Sequence, residues 1–313
     1  MARYKIIVNP TSGRGAGGES IPVLEAGLKQ AGLAYDLVRT ERPWHAVELA
    51  REAAAAGYEV VVAVGGDGTA NEVLNGLMLA REANPRLRPV MGVVSVGRGN
   101  DFAFGAGIER GAQAGLAALA AGRRVPMDVG RVTGGLFPQG RYFGNGVGVG
   151  FDAVVGFEAV KLKRLTGFPS YIVAALRTIF LYFRAPRVRI ETDSGPLELS
   201  ALMVSIMNGR RMGGGFMMAP SALIDDGLFD LCIARQVSKA GIFALIPRFM
   251  KGTQGSHPAI VTARTKRITV TALEGVLPAH ADGETLSTDG TRLVVEIVPR
   301  PIEIITSPTG SAA

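Results

Sequence analysis

The residues best suited to chemistry in this chain are Gly65-Gly66-Asp67-Gly68-Thr69, which follow a β-branched run at 59–64 and precede an apolar pattern of helical period at 69–80. A glycine-rich turn at the end of a strand lets backbone N–H groups point into a cavity, and the following helix N-terminus favours a phosphate there. Asp67 in such a turn faces phosphate only through a cation, which assigns it to Mg²⁺. Thr69 is the expected N-cap of the helix. A bare strand–helix turn needs one or two glycines. The three that surround Asp67 favour a ligand loop.

A second glycine cluster, Gly13-Arg14-Gly15-Ala16-Gly17-Gly18, also lies between a strand and a helix and matches the dinucleotide-binding pattern G-x-G-x-x-G. The acidic residue which that fingerprint requires after the second strand is missing. That strand ends Val38-Arg39-Thr40, and Asp36 comes too early. A dehydrogenase is therefore the weaker reading, and the P-loop signature is absent. From spacing alone, Asp282-Gly283-Glu284 reads as a glycine turn between two strands, and Asp225-Asp226-Gly227 as a β-turn with two solvated acids. Cys232 lies in an apolar stretch and reads as core. His45, His257 and His280 form no metal pattern, although His280 is near Glu284 in sequence.

These residues need elements to position them. Strand patterns at 4–8, 35–38, 59–64 and 90–96 alternate with helical patterns at 19–31, 46–56 and 69–80, which implies a mostly parallel sheet. After Met127 the rhythm changes to short alternating segments at 141–149, 187–192, 197–207, 228–234, 260–270 and 293–298, an antiparallel arrangement. Helical stretches at 152–183 and 239–251 interrupt it. The fold class expected is an α/β N-terminal domain, residues 1–126 with a returning strand within 301–308, plus a β-rich, sandwich-like domain over 127–300. Core packing is the favoured reading of the aromatic helix at 169–184, which carries Tyr171, Phe180, Tyr182 and Phe183 just after Phe168, over a place at a membrane surface.

With 313 residues, 47% hydrophobic and 19% charged, the chain is long enough for two cores. A single cysteine suits a reducing compartment. The apolar run at the N-terminus ends at Val8 before Asn9-Pro10, and the greasy stretch at 171–183 is interrupted by Arg177. A cytoplasmic protein is expected, with peripheral attachment to the inner face of the membrane left open. The net charge of +7 suits phosphates or an anionic surface. No dense basic run marks a nucleic-acid arm, so nucleic acid is not an expected partner.

In order along the chain stand Asn9-Pro10-Thr11-Ser12-Gly13, Gly65 to Thr69 with Asn71-Glu72, Gly97-Arg98-Gly99-Asn100-Asp101-Phe102-Ala103, Ala219-Pro220 with Asp225-Asp226-Gly227, and Asp282-Gly283-Glu284. Together they resemble the diacylglycerol kinase catalytic-domain family in its bacterial lipid-kinase branch, which is related to sphingosine kinases and distantly to NAD kinases. The resemblance implies an α/β nucleotide domain joined to a β-sandwich-like one with the active site between them. It implies Glu284 as general base for a lipid hydroxyl, with Asp67 and Asp101 at the phosphates and their Mg²⁺. It places Asn9, Thr40, Gly65, Gly66, Asp67, Gly68, Thr69, Asn71, Arg98 and Asn100 at the nucleotide. It also implies a structural Mg²⁺ held by the Asp226 side chain and the carbonyls of Leu223 and Leu228.

The family pattern P-x-G-T-x-N-D appears here as Ser95-Val96-Gly97-Arg98-Gly99-Asn100-Asp101, with Arg98 where a threonine meets the phosphates. An arginine can clamp phosphate in bidentate fashion or fill the site. Retained activity is the favoured reading because Asp67, Asp101 and Glu284 all remain. The function expected is ATP-dependent phosphorylation of a lipid hydroxyl in phospholipid metabolism, with diacylglycerol, phosphatidylglycerol or a sphingoid base as acceptor, met at the membrane surface. A silent nucleotide- or lipid-binding regulator and an NAD kinase are the alternatives. Monomer and homodimer both stay open.

Overall fold

The computed structural model describes residues 3–162, 168–181 and 185–307. The chain divides into two units, one of Met1–Val129, Ile224–Asp226 and Pro299–Ala313, the other of Gly130–Leu223 and Gly227–Val298.

In chain order the first unit contains β1 (Arg3–Val8), α1 (Ala16–Glu19), α2 (Ile21–Gln30), β2 (Ala34–Arg39), α3 (His45–Ala55), β3 (Val60–Gly65), α4 (Asp67–Ala83), β4 (Val90–Ser95), α5 (Asp101–Gly105) and α6 (Ala112–Ala121). β5 (Arg124–Gly134) begins in it. Strands pair in the order β2–β1–β3–β4, all parallel, and the end of the chain's last strand adds beside β4 through Glu303 and Ile304. Every residue of β3 and of β4 is buried, as expected for strands covered on both faces. α4 follows β3 directly and buries Val73, Leu74, Leu77 and Met78. Because β3 and β4 end side by side, the loops that leave their C-terminal ends are neighbours, which is where ligands bind in open parallel sheets.

The second unit continues with β6 (Phe137–Phe143), β7 (Gly146–Gly150), α7 (Phe151–Lys161), α8 (Phe168–Leu181), β8 (Arg187–Thr192), β9 (Gly195–Met207), β10 (Phe229–Arg235), α9 (Lys239–Lys251), β11 (Ile260–Thr265), β12 (Arg267–Ala272), β13 (Ala279–Ala281), β14 (Glu284–Ser287) and β15 (Arg292–Ile305). β9 is long enough to serve two antiparallel sheets. Its first half pairs with β8, and its second half pairs with β7 and β10. One sheet runs β14–β13–β7–β9–β10–β11, and the other continues β9–β8–β12–β15. Their facing residues form one core, with Val147, Val149, Val204 and Ile206 from the first and Val188, Ile190, Ile268 and Val270 from the second. On the outer face of the first sheet, Met203, Met207 and Cys232 pack against Phe151, Ala174 and Ile242 of the helices.

The α/β-plus-sandwich class expected from sequence is the one found, but several element boundaries differ. The segment at 260–270 is two strands, because 260–265 belongs to the first sheet and 267–272 to the second. Thr265 turns that corner by donating its hydroxyl to the Arg267 carbonyl at 2.7 Å. The segment at 141–149 is broken at Gly144-Asn145 for a reason given below. The expected strands at 293–298 and 302–305 join in β15, which kinks at Arg300 with φ +47°. The helical stretch at 152–183 is two helices, and its Tyr182 and Phe183 lie outside the described residues, as does the Phe180 side chain. Tyr171 packs on the helix–sheet core, and the Phe168 and Phe216 rings meet edge-on at 5.2 Å, so one face of this part of the helix packs inward. Among the described residues no helix is long and apolar enough to cross a membrane. Cys232 is buried, and burial pushes its thiol up to about 12.

One glycine tests how closely the first unit is packed. A Cβ on Gly76 of α4 would stand 2.3 Å from the Val47 carbonyl oxygen and 2.7 Å from the Ala50 methyl of α3. Helix propensity alone would make Gly76→Ala stabilising by about 1 kcal/mol. Overpacking costs about 1–3 kcal/mol or more. The contact with a backbone oxygen decides the sign, so urea unfolding should show Gly76→Ala net destabilised.

Candidate functional site

The loops after β3 and β4 meet backbone against backbone. A Cβ on Gly97 would stand 2.3 Å from the Gly66 Cα, and one on Gly66 would stand 3.2 Å from the Gly97 Cα. A side chain at Gly97 would collide with the Gly66 backbone and one at Gly66 would crowd Gly97, so close packing is a second reason for Gly66, which sequence reading assigned to the nucleotide, and a reason for Gly97. The Val96 N–H continues the ladder to the Gly65 carbonyl at 2.9 Å. Asp67 then ties the loops together. Its Oδ2 accepts the Asn100 N–H at 2.7 Å and its Oδ1 accepts the Phe102 N–H at 2.9 Å, at the start of α5. Asn100 adopts the left-handed region at φ +57° and donates its side-chain amide to the Gly97 carbonyl at 2.9 Å.

Asp67 and Asp101 come together across Gly99. The point where a Gly99 Cβ would stand is 2.8 Å from Asp67 Oδ2 and 3.5 Å from Asp101 Oδ2. Two carboxylate oxygens flank a space which only the absence of a side chain leaves open. Such hard oxygen donors suit a divalent cation such as Mg²⁺. Arg98 beside them is exposed, and among the described residues it has no hydrogen-bond partner.

Thr69 is not the N-cap. Gly66 occupies that position and the helix begins at Asp67. Thr69 is buried in the first turn, its hydroxyl accepts the Asn9 amide at 3.1 Å, and its side chain fills the space beside Gly65. Asn9 in turn accepts the Thr11 N–H and hydroxyl, so the loop after β1 is fastened to α4. Gly17 lies against this loop, for its Cβ would meet the Asn9 carbonyl oxygen at 2.0 Å, and a Gly13 Cβ would meet the Val96 oxygen at 2.2 Å. The G-x-G-x-x-G match thus reflects close packing. Thr40 stands at the end of β2, with its N–H on the Val8 carbonyl at 2.8 Å. The structure thereby gathers Asn9, residues 65–69, Arg98, Asn100 and Asp101 at the C-terminal ends of β1, β3 and β4, with Thr40 at the end of the adjoining β2. Asn71 is set apart: it is fully buried and accepts the Asn75 amide at 3.1 Å. Glu72 accepts the Ala46 N–H at the start of α3.

A second polar knot in the first unit was not legible from sequence. The buried Asp128 accepts the Arg300 N–H at 2.8 Å, and the Arg300 guanidinium donates to the Asp225 carbonyl at 2.9 and 2.8 Å. Arg300 therefore clamps the segment that carries Asp226. Leu223 and Leu228 flank that segment in sequence, Leu223 exposed and Leu228 half-buried. Among the described residues no group of three or more His, Cys, Asp or Glu is arranged to hold a metal.

In the second unit, Asp282-Gly283-Glu284 joins β13 to β14, with Asp282 at φ +47° and Gly283 at φ +87°. The buried Asp282 carboxylate accepts three backbone N–H groups: Gly144 at 2.8 Å, Asn145 at 3.0 Å and Gly146 at 2.9 Å. Those donors are why the strand expected at 141–149 is broken. Asn208 supports the same bed by donating to the Gly144 carbonyl at 2.8 Å. Glu284, partly exposed, is thus delivered from a turn that is fixed at its base. His280, which sequence placed near Glu284, is buried.

A parallel sheet with phosphate-type loops at its C-terminal edge, followed by an antiparallel sandwich, defines a phosphotransferase architecture of the diacylglycerol kinase and NAD kinase type. The diacylglycerol kinase catalytic domain matches residues 3–132, and the YegS C-terminal NAD kinase beta sandwich-like domain matches residues 145–306. Diacylglycerol kinase of Staphylococcus aureus strain RF122 is 30% identical over 283 residues, which cover 90% of this chain and 86% of that one. The chain belongs to the diacylglycerol kinase family. A diacylglycerol kinase structure from Bacillus anthracis strain Sterne superposes with a TM-score of 0.73 at 21% identity, covering 98% of this chain and 97% of the other. Yeast NADH kinase complexed with NADH superposes with a TM-score of 0.51 at 10% identity, over 98% and 84% of the two chains. At these identities the two structures speak for the fold.

The Asp282 bed can be tested by stability. Asn tolerates the left-handed region, so Asp282→Asn isolates the loss of one charged acceptor from the backbone strain. The variant should lose about 1–3 kcal/mol in urea unfolding, the range for hydrogen bonds to a charged group.

Proposed function

We propose that this protein transfers the γ-phosphoryl group of ATP to the hydroxyl of a membrane lipid, with diacylglycerol the leading acceptor and phosphatidylglycerol or a sphingoid base the alternatives. The observation that carries the reading is the pair of carboxylates Asp67 and Asp101 on either side of Gly99, beside loops that meet at Gly66 and Gly97. Mg²⁺ bound there would neutralise charge on the transferring phosphoryl group. Backbone N–H groups at the start of α4 and the exposed Arg98 would hold the triphosphate oxygens. Glu284 would accept the proton of the attacking hydroxyl, which is the role left for a partly exposed carboxylate on a fixed turn.

The second metal reading, Asp226 with the carbonyls of Leu223 and Leu228, is supported by the Arg300 clamp on Asp225, which holds the segment still. The net charge of +7 supports a peripheral encounter with an anionic membrane, where the lipid acceptor resides.

Purified protein with labelled ATP, Mg²⁺ and mixed lipid vesicles should yield a labelled phospholipid that mass analysis identifies. Glu284→Gln, which keeps the shape and removes the proton acceptor, should lower that rate by about 10²–10⁴-fold. Full activity in this variant would refute Glu284 as base. Label in NAD with none in lipid would make the protein an NAD kinase, and ATP binding without turnover would make it a regulator. Arg98→Ala should raise the KM for ATP by about tenfold, as expected for the loss of a charge-assisted phosphate contact.

A further inference from the structure

The helix-facing side of β7, β9 and β10 is apolar, with Met203, Met207 and Cys232 packed among Phe151 and Val155 of α7. Polar side chains interrupt it. Ser205 of β9, Gly148 of β7 and His280 of β13 stand in one row across three paired strands. Asp152, in the first turn of α7, lies over that row. A Cβ on Gly148 would stand 2.5 Å from His280 Nε2 and 2.7 Å from Asp152 Oδ2, so the missing side chain is the space that the imidazole and carboxylate occupy. Gly156, one helical turn further along α7, faces the imidazole edge, and a Cβ there would stand 3.9 Å from His280 Cδ2. The Ser205 hydroxyl donates to Asp152 Oδ2 at 2.7 Å, and the Ala153 N–H donates to Oδ1 at 2.9 Å. His280 is 6% exposed, and its buried Nδ1 has no hydrogen-bond partner.

We propose that Asp152, Ser205 and His280 form a positioning cluster that clamps β13 to β7 and α7 and thereby fixes the turn that carries Glu284. The positioning role rests on the reading of Glu284 as the proton acceptor. β13 has only three residues, Ala279, His280 and Ala281, so His280 is its one large side chain. The carboxylate of Asp282 fastens the turn after His280, and the cluster fastens the strand before it.

Burial raises Asp152 to about 7, against the hydrogen bonds from Ser205 and Ala153, and burial lowers His280 to about 4. Nothing charged nearby offsets this. Cys232 of β10 is held as a neutral thiol by burial, and Asp230 on the same face of that strand is tied to Arg264. Glu158, further along α7, is paired with Lys161 and Arg177. Asp282 is engaged by the three N–H groups described above, and Glu284 follows Ala281 on the opposite face of the hairpin from His280. Among the described residues neither Asp152 nor His280 forms an ion pair with lysine or arginine.

The two shifts have opposite consequences for stability. In the folded state His280 stays neutral down to about 4, below its ordinary 6.5, so its contribution is lost as pH falls from 6.5 towards 4. Asp152 stays protonated up to about 7, above its ordinary 3.8, so its contribution is lost as pH rises from 3.8 towards 7. Between about 4 and 6.5 the unfolded chain holds one proton on the imidazole and the folded chain holds one on the carboxyl. Folding moves the proton from base to acid without net uptake, and the pair adds no slope to the stability profile.

Unfolding of the full chain should therefore be followed between pH 4 and 6.5 for wild type, Asp152→Asn, His280→Gln and the double variant. Relative to wild type, the folding equilibrium constant of Asp152→Asn should rise with pH, by up to about tenfold per unit, and that of His280→Gln should fall by the same factor. The double variant should run parallel to wild type. Single variants that also run parallel to wild type would overturn the cluster. If Asp152→Asn does not fold, Ser205→Ala should shift the alkaline loss of stability to higher pH, and an unchanged profile would count against the cluster. In lipid phosphorylation each single variant should lose about 10- to 100-fold in kcat with the KM for ATP unchanged, the scale of a misplaced catalytic group. Wild-type kcat in either would overturn the positioning role. Absence of lipid phosphorylation in the wild type would instead sink the Glu284 reading, and the stability profiles would still decide the cluster.

Discussion

Where β3 and β4 end, two main chains approach so closely that a side chain on Gly97 would collide with Gly66 and one on Gly66 would crowd Gly97. Much of the first unit's architecture serves that contact. Parallel pairing brings the strand ends level, the Gly65 carbonyl accepts the Val96 N–H, and Asp67 fastens the second loop at two backbone amides. Asn9 and Thr69 attach the third loop to the same helix. A phosphate site needs N–H groups that are already oriented before the anion arrives. Here the loops brace one another, and Asp67 is a brace through its two backbone hydrogen bonds; on the reading proposed above, that order is what a phosphate would meet.

Much of this was legible in the sequence. The β-branched runs at 59–64 and 90–96 marked buried parallel strands, and the glycines around Asp67 marked a ligand loop. What sequence could not show was which of the two glycines met. Thr69 looked like a cap because threonine before a helical pattern usually is one. It is instead inside the first turn, packed beside Gly65, since the helix starts earlier than its apolar pattern does. Asn71 carried the same kind of ambiguity, for a polar residue beside a ligand loop can face either the ligand or the interior.

The second unit was less legible, for a different reason. Its strands turn corners at single residues, Thr265 and Gly144-Asn145, and a corner of that kind leaves the alternation of apolar residues intact on both sides. Asp282 is bound to amides more than a hundred residues earlier in the chain, a contact that no local pattern announces. Asp128 with Arg300 and Asp152 with Ser205 are likewise joined from distant parts of the chain. In each case a polar residue inside an apolar run was the only local sign. Buried polar groups of this kind cost stability unless they are bonded, so each marks a place where the fold holds one geometry in preference to others.

The last strand has a bearing on how the chain comes to be folded at all. β15 pairs with β12 through Arg292–Glu296 inside the second unit, and then supplies Glu303 and Ile304 to the open side of β4. If folding follows the order of the chain, the β2–β1–β3–β4 sheet assembles early, but its β4 border stays bare until Glu303 and Ile304 are added. The unpaired edge of such a hydrophobic strand is a template for association with other chains. The nascent first unit is thus the stage most exposed to aggregation, and the same closing strand completes both halves of the protein at once.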